Sequence, residues 1–413
     1  MPRVPAYRVE SYSYVRDTPE GREDFKNIIE KADWTQVTEA NNSSKMVEAF
    51  HTIMNGAMEK SFQLVHKKKK SSEPSWMTSH IRRLVKKRRK LFRRVGRNPT
   101  WKKLKALTNR LIKERRENFN AQTREKFLAQ TTSKTFHKCV KTFLASEQGV
   151  PWTPNSMYQG KTDSEVADEL ARYFNNISAE YDPLRREDIP QTYARELPTL
   201  TESEVEARLL KAKKTTSRVP GDIFASLYGE CSSLLAQPVT AIFNSITRNK
   251  DWADLWKVKY ITVIPKGPSP TEASECRNIS CTNFLSKVYE GFVLQWAREE
   301  VVPKENQYGG EKQCSTSHFL IDVWDFIVDS LEDRRSAVVM GAIDYSKAFN
   351  RLEHSACLGS FARKGASTDI LQLLASFLSG RTMQVKIGTI FSDPLPVNAG
   401  APQGSVLAVI YLT

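Results

Sequence analysis

Apolar residues recur at helical spacing in several separate stretches of the chain. Met46, Phe50, Ile53, Met54, Ala57 and Met58 repeat at i, i+3 and i+4, which predicts a helix over residues 45–64. Ile81, Leu84, Val85, Leu91, Phe92 and Val95 form one further stripe, and Trp101, Leu104, Leu107 and Leu111 form another. Gly96-Arg97-Asn98-Pro99 separates the two, and proline cannot continue a helix interior. Two amphipathic helices packed on their apolar stripes are expected there. Thr201-Glu202-Ser203-Glu204 reads as a capped helix start, with Val205, Leu209 and Leu210 following at helical spacing. Residues 215–222 (TTSRVPGD) read as a loop, and residues 223–245 return to an apolar helical pattern.

The period changes near Trp256. Residues 259–264 (KYITVI) are rich in β-branched side chains and stop at Pro265, as a strand would. Gly267-Pro268-Ser269-Pro270 is a turn. Ser315-Thr316-Ser317 opens a helix with Leu320, Val323, Trp324, Ile327 and Leu331 on one face. Residues 337–343 (AVVMGAI) read as a short strand buried on both faces. Thr368 caps another helix, carrying Ile370, Leu371, Leu374, Phe377 and Leu378 and stopped by Gly380. Met383, Val385 and Ile387 alternate with polar residues, and Gly388 opens a hairpin toward Pro394. The fold class expected is α+β. The divisions are a polar helical segment (1–65), a basic helical region (66–120), a mostly helical region (121–255) and a mixed domain (256–413).

Charge sharpens this map. Residues 67–116 hold 21 Lys/Arg against 2 Asp/Glu, whereas the other 363 residues hold 41 basic and 45 acidic side chains. The whole positive excess of +15 therefore sits in one window. A solvated charged face is the ordinary reading of such a run. With acidic partners nearly absent, contact with phosphates is the better one, because unpaired cations repel until anions neutralise them. The candidates are Lys86, Lys87, Arg88, Arg89, Lys90, Arg93, Arg94, Lys102 and Lys103. Residues 67–75 (KKKKSSEPS) read as a flexible joint. The longest apolar run, residues 406–412, is too short to span a bilayer, and the first ten residues lack the apolar core of a secretory signal. Six cysteines in 413 residues, without zinc-site spacing, fit a reducing intracellular setting. No membrane partner is expected, and the location expected is cytoplasm and nucleus.

Three blocks carry candidate chemistry. Asp344 follows the AVVMGAI run, where a carboxylate fixed at a strand end suits a divalent cation; a helix cap is the plainer alternative. Ala399-Gly400-Ala401-Pro402-Gln403-Gly404-Ser405 forms a bent loop whose backbone can approach a ligand closely and which presents the Gln403 amide, or else is an ordinary turn. Lys266 and Arg277, on a strand end and a returning segment, can converge on a polyanion, or else mark a charged hairpin tip.

In chain order the blocks WKVKYITVIPKG, CRNIS, SKVYE, QYGGEKQCSTSH, AIDYSKAFNRLEH and NAGAPQGSVL resemble the reverse transcriptases of non-LTR (LINE-type) retrotransposons. Residues 200–255 resemble the segment before the fingers in that family. The basic window, with Pro74-Ser75-Trp76-Met77 and KKRRKLFRR, resembles the connector between endonuclease and polymerase. The resemblance implies a right-hand fold, of which residues 256–413 are fingers and part of a palm, and an RNA-directed DNA polymerase. It implies that Asp344 is the first catalytic carboxylate and binds Mg²⁺ (Mn²⁺ as a substitute), with the carbonyl of Tyr345 assisting. Lys266 and Arg277 then grip the triphosphate, Phe349 is the gate against a 2′-hydroxyl, and Gln403 and Gly404 line the nucleotide and template side. Gln307, Tyr308, Gly309, Ser315 and Thr316 match the block before the palm helix. The implied partners are an RNA template, a DNA primer or target, and dNTPs.

The chain departs from the family pattern at Asn278, where proline is usual, at Asn350, where aspartate is usual, and at Gly310, where phenylalanine is common. The family's Ala-Asp-Asp block is expected a few dozen residues after the Gln403 loop, beyond Thr413. Little or no polymerase activity is therefore expected of these 413 residues alone. The alternative is a catalytically inactive remnant that binds nucleic acid through residues 67–116. An intron-maturase relative of similar fold is a third possibility, and the maturase segment that would mark it is not in the sequence. Residues 406–412 are expected to form a palm helix that leaves its apolar side chains, with Val338, Val339 and Ile343, facing solvent, so that the palm is only marginally stable.

Overall fold

The computed structural model describes residues 9–70, 76–128, 152–212, 215, 218–301, 306–311, 313–332 and 336–412. The chain divides into two compact units, one of residues 1–13 and 66–153 and the other of residues 14–65 and 154–413. In chain order the first elements are β1 (Val9–Val15), α1 (Pro19–Glu30), α2 (Thr35–Thr38), α3 (Ser43–Ser61) and β2 (Leu64–Lys70), and β1 pairs with β2. Lys67 to Lys70, read from sequence as part of a joint, thus lie in a strand; residues 71–75 fall outside the described residues.

In the smaller unit, α4 (Ser79–Val95) and α5 (Pro99–Leu128) flank the predicted break. Thr78 accepts the Ile81 N–H at the start of α4, and Asn98 accepts the Trp101 N–H at 2.8 Å at the start of α5. The seam is made by Ile81, buried, with Leu84, Val85, Leu104 and Leu111 half-buried and the Thr108 side chain enclosed. Phe92 lies 5.3 Å from Trp101, ring to ring. Leu107, Phe92 and Val95, assigned to the stripes from sequence, remain largely exposed.

The larger unit continues with α6 (Asp163–Asn176), α7 (Glu202–Leu209), α8 (Ala225–Glu230), α9 (Ser232–Asn249), α10 (Asp254–Lys257), β3 (Val258–Pro265), β4 (Cys276–Cys281) and α11 (Phe284–Glu300). It ends with α12 (Thr316–Leu331), α13 (Ala348–Arg351), α14 (His354–Arg363), α15 (Thr368–Leu378), β5 (Arg381–Ile387), β6 (Ile390–Phe391), β7 (Leu395–Val397) and a 3₁₀ turn over Leu407–Leu412. The capping box expected at Thr201 is present: Glu204 accepts the Thr201 N–H at 2.9 Å while Thr201 accepts the Glu204 N–H. The helical run after Ile223 breaks at Cys231 into α8 and α9. The mostly helical region expected over 121–255 also includes a long non-helical connection between α6 and α7, with one 3₁₀ turn at Arg186–Asp188. Residues 129–151 of it fall outside the described residues.

The sheet runs in the order β4-β3-β5-β6, with β7 on β5. β3 is antiparallel to β4 and parallel to β5, with Ile261 level with Ser280 and Val385. One core joins α1, α3, α9, α11, α14, α15 and the final 3₁₀ turn around Phe243, Trp252, Trp256, Tyr289 and Phe377. α6 packs against β5, β6 and β7.

Two expectations fail, and they fail together. Residues 337–343 form no strand: the stretch is irregular, and Val339 is 93% exposed. No described strand pairs with it, and a lone extended segment can neither bury its side chains nor satisfy its amides in a ladder. α12 begins at Ser315 as expected, but none of its side chains is buried, Trp324 being 67% exposed. The opposite correction applies at the C-terminal end. Leu407, Ile410 and Tyr411 are buried rather than solvent-facing, because they pack on helices instead of strands. Tyr411 stacks on Phe377 at 6.3 Å and meets Phe361 edge-on.

Two histidines are enclosed in this unit. His51 Nε2 accepts from Trp256 Nε1 and Asn283 Nδ2, which leaves its proton on Nδ1. His354 Nε2 donates to the Gly400 carbonyl at 3.0 Å. Burial lowers both from the ordinary value near 6.5, against the opposing pull of Asp222 on His51 and of the Gly400 carbonyl on His354. A histidine with a lowered folded pKa takes its proton more readily in the unfolded chain. The stability these two histidines cost is therefore expected to be nil above about pH 6.5 and to grow as pH drops below it, by up to about 1.4 kcal/mol per pH unit for each group. Denaturant midpoints at pH 7.5 and 5.5 check this, with His51→Gln expected to show the smaller loss; equal midpoints in the parent chain would contradict it.

Candidate active site

The site is assembled where three segments distant in sequence meet backbone to backbone. The first is β4, fixed by its ladder with β3: Val263 opposes Asn278 and Ile264 opposes Arg277. The second is the turn Lys347–Arg351, whose helix α13 carries Phe349 and Asn350. The third is the loop 399–405.

Glycines permit the contact. Gly400 has φ +82°, and a Cβ there would lie 2.5 Å from the Phe349 carbonyl oxygen. Gly404 has φ +127°, and its Cβ would lie 2.6 Å from the Ser280 carbonyl oxygen. Without side chains, the loop makes three backbone hydrogen bonds to its neighbours. Gly400 N–H donates to Leu352 (2.7 Å), Ala401 N–H to Phe349 (2.9 Å), and Ser280 N–H to Gln403 (2.9 Å). The loop does contain a turn ahead of a buried segment, with the Ser405 N–H donating to the Pro402 carbonyl at 2.9 Å before the buried Leu407, and it is at the same time wedged between β4 and α13. Gln403 is half-buried and Gly404 exposed.

The loop's far end is held by a buried carboxylate. Glu290 on α11 is fully enclosed and accepts the N–H groups of Val406 (2.6 Å) and Leu407 (3.3 Å) and the Ser286 hydroxyl. Burial raises its pKa, while these N–H donors and Arg381 oppose the rise. Arg381, 2% exposed, donates to the carbonyls of Phe377 (2.8 Å) and Trp256 (3.3 Å). Burial pushes it down to about 10 despite Glu290. Lys259, enclosed on β3, is pushed down to about 7 by burial, with Arg381 adding to the effect. Sequence reading missed Glu290, Arg381, Lys259 and His354. The signal available was a charged residue inside an apolar stripe, as with Glu290 beside Tyr289 and Phe292. It also missed Asp222, whose buried carboxylate accepts from the Tyr228 hydroxyl (2.7 Å) and caps α11 at the Phe284 N–H (2.9 Å).

Asp344 is not at the end of a buried strand. It lies exposed on the irregular stretch before α13. The residue preceding that helix is Lys347, held left-handed at φ 58°, so Asp344 is not its N-cap. The Lys347 ammonium rests 5.5 Å from the Tyr173 ring of α6, which fixes the turn against the sheet-covering helix. Tyr345 is exposed, and Phe349 is half-buried against the core. Lys266 donates to the Ser274 carbonyl at 2.8 Å within the loop that joins β3 to β4. Arg277 stands exposed on the sheet face opposite Asn278. Among the described residues no hydrogen bond or ion pair joins either cation to Asp344. The structure therefore brings together Phe349, Gln403, Gly404 and β4, sets Lys266 and Arg277 on one hairpin, and leaves Asp344 exposed and, among the described residues, without a hydrogen bond to either cation.

The residues present do not make a metal site by themselves. Among the described residues no group of three or more His, Cys, Asp or Glu is placed to hold an ion, and a single exposed carboxylate is a poor match for an ion that demands six hard oxygens. In the smaller unit, Lys86, Lys87, Arg89, Lys90, Arg93, Arg94, Lys102 and Lys103 are exposed, and Arg88 is half-buried with a hydrogen bond to Asn109 at 3.0 Å. No described helix is long and apolar enough to cross a membrane.

The chain is similar to proteins described as RNA-directed DNA polymerases. It is 32% identical over 178 residues to the RNA-directed DNA polymerase from mobile element jockey of Drosophila melanogaster, covering 41% of this chain and 19% of that protein. It is 29% identical over 188 residues to the probable RNA-directed DNA polymerase from transposon BS, covering 43% of this chain and 20% of that protein. With the transposon X-element protein it shares 23% over 282 residues, which is 65% of this chain and 30% of the relative. The chain thus spans less than a third of the length of these relatives. No protein-family model matches it.

The close approaches at Gly400 and Gly404 predict that Gly400→Ala and Gly404→Ala each destabilise the chain by about 1–3 kcal/mol or more. Gly267→Ala, with open space around its Cβ, is expected to stay within about 0.5 kcal/mol of the parent. Urea midpoints compare them, and a Gly404→Ala chain as stable as Gly267→Ala would contradict the docking.

Proposed function

Since the chain is related in sequence to the RNA-directed DNA polymerases of non-LTR mobile elements, we propose that it is a segment of such a polymerase, providing the nucleotide-side wall for transfer of a dNTP to a primer 3′-hydroxyl on an RNA template. The observation that carries this is the wedging of the 399–405 loop between β4 and α13, which gathers Phe349, Gln403 and Gly404 at one place. In the reaction the 3′-hydroxyl attacks the α-phosphorus and pyrophosphate leaves. Lys266 and Arg277 offset charge on the triphosphate as it shifts toward the leaving group. Phe349 fills the volume that a 2′-hydroxyl needs. The exposed Cα of Gly404 lets the nucleotide approach the backbone, and the Gln403 amide presents a donor and an acceptor. Asp344, with the Tyr345 carbonyl, contributes to divalent-metal binding, with Mg²⁺ or Mn²⁺ as the ion. These two groups do not complete a coordination shell.

A second activity is favoured by the smaller unit. α4 and α5 pack Ile81, Leu84, Val85, Leu104 and Leu111 together and turn most of their cations outward, which suits a sequence-independent grip on RNA or DNA phosphates.

Two measurements test these readings. Primer extension on an RNA template by the 413-residue chain is expected to stay near background and to be unchanged by Asp344→Ala; robust extension that Asp344→Ala abolishes would contradict the view that one carboxylate is insufficient. Binding to a single-stranded RNA is expected to fall steeply with salt. Replacing Lys86, Lys87, Arg88, Arg89 and Lys90 by Gln should reduce the log–log salt slope by about 3–4. An unchanged slope would remove α4 from the interface.

A further inference from the structure

Asn278 and Asn350, both departures from the family pattern, meet in the structure. Asn278 Nδ2 donates to Asn350 Oδ1 at 3.1 Å, and Asn350 Nδ2 donates to Asn278 Oδ1 at 3.4 Å, across 72 residues of sequence. Asn278 is buried on β4 and Asn350 is half-buried on α13. A primary amide offers a donor and an acceptor side by side, so two facing amides satisfy each other in a closed pair. A carboxylate at either position sets acceptor against acceptor in one of the two bonds, and an apolar residue leaves the opposite amide enclosed and unpaired.

The pair completes a figure that the backbone leaves open. Backbone hydrogen bonds join β4 to the 399–405 loop at Ser280–Gln403, and join that loop to α13 and the residue after it at Ala401–Phe349 and Gly400–Leu352. Those are two sides of a triangle, and two sides alone can hinge about the loop. The third side, β4 to α13, is the amide pair. Its members are sequence neighbours of Arg277 on one side and Phe349 on the other.

We infer that Asn278 and Asn350 are positioning residues that close this triangle and fix Phe349 relative to β4 and the Gln403 loop. That the fixed group discriminates a sugar rests on the polymerase reading; that the triangle is closed does not.

Hydrogen–deuterium exchange of the 413-residue chain separates the two. Asn278→Ala is expected to speed exchange over residues 347–352 by about tenfold while α9 and α15 keep their rates. Asn350→Ala, at a half-buried helical position, should do the same over β4. The double variant should be no faster than the faster single, because each single already breaks the whole pair. Unchanged exchange over 347–352, additive effects, or a uniform rise that includes α9 and α15 would overturn the inference. The second readout is the affinity ratio of dATP to ATP with Mg²⁺, by competition against γ-phosphate-labelled fluorescent dATP. Either single variant should lower that ratio at least threefold. An unchanged ratio, where the parent chain discriminates, would overturn the positioning role. If the parent chain binds neither nucleotide, the polymerase reading of the site fails, and the exchange data still decide whether the triangle exists.

Discussion

The candidate site depends on backbone reaching backbone at two glycines. Where Gly400 meets the Phe349 carbonyl and Gly404 meets the Ser280 carbonyl, no Cβ fits. Such contact lets main-chain N–H and C=O groups, rather than long side chains, set the geometry, and a backbone hydrogen bond loses no side-chain entropy when it forms. The interior charges serve the same end. Glu290 gathers the two N–H groups that follow the loop, and His354 holds the Gly400 carbonyl, so both ends of the segment are tied to helices of the main core.

A buried acid is costly unless it has hydrogen-bond donors, and Glu290 has three. Arg381 is sheltered by the carbonyls of Phe377 and Trp256 in the same interior. These groups do not touch the proposed nucleotide. They convert helix packing into loop position, and a change in them is felt at Gln403 through the chain rather than through contact with substrate. Around Asp344 the balance is reversed: α12 and residues 337–345 expose apolar surface, and little packing supports the carboxylate.

Local physics was legible in the sequence wherever a segment's own pattern decided its structure. The β3 strand with its stop at Pro265, the Thr201 capping box, the α4–α5 break and the β5 alternation all follow from side-chain period or capping chemistry within a few residues. The errors arose where the partner decides. The AVVMGAI stretch has a buried strand's composition, but a strand exists only with a neighbour to pair with, and none is present among the described residues. Residues 407–411 have an apolar run's composition as well, and they found helices to cover them. The Asn278–Asn350 pair was visible only as two separate departures from a family pattern. Their 72-residue separation hides the fact that each departure supplies the other's hydrogen-bond partner.

The central claim is that β4, α13 and the 399–405 loop form one wall that takes a deoxynucleoside triphosphate. Photolabelling of the chain with 8-azido-dATP, followed by peptide mass spectrometry, tests it most directly. The account predicts adducts on peptides spanning Arg277, Phe349 or Gln403, suppressed by excess unlabelled dATP. Labelling confined to residues 67–116, or insensitive to competing dATP, would contradict it.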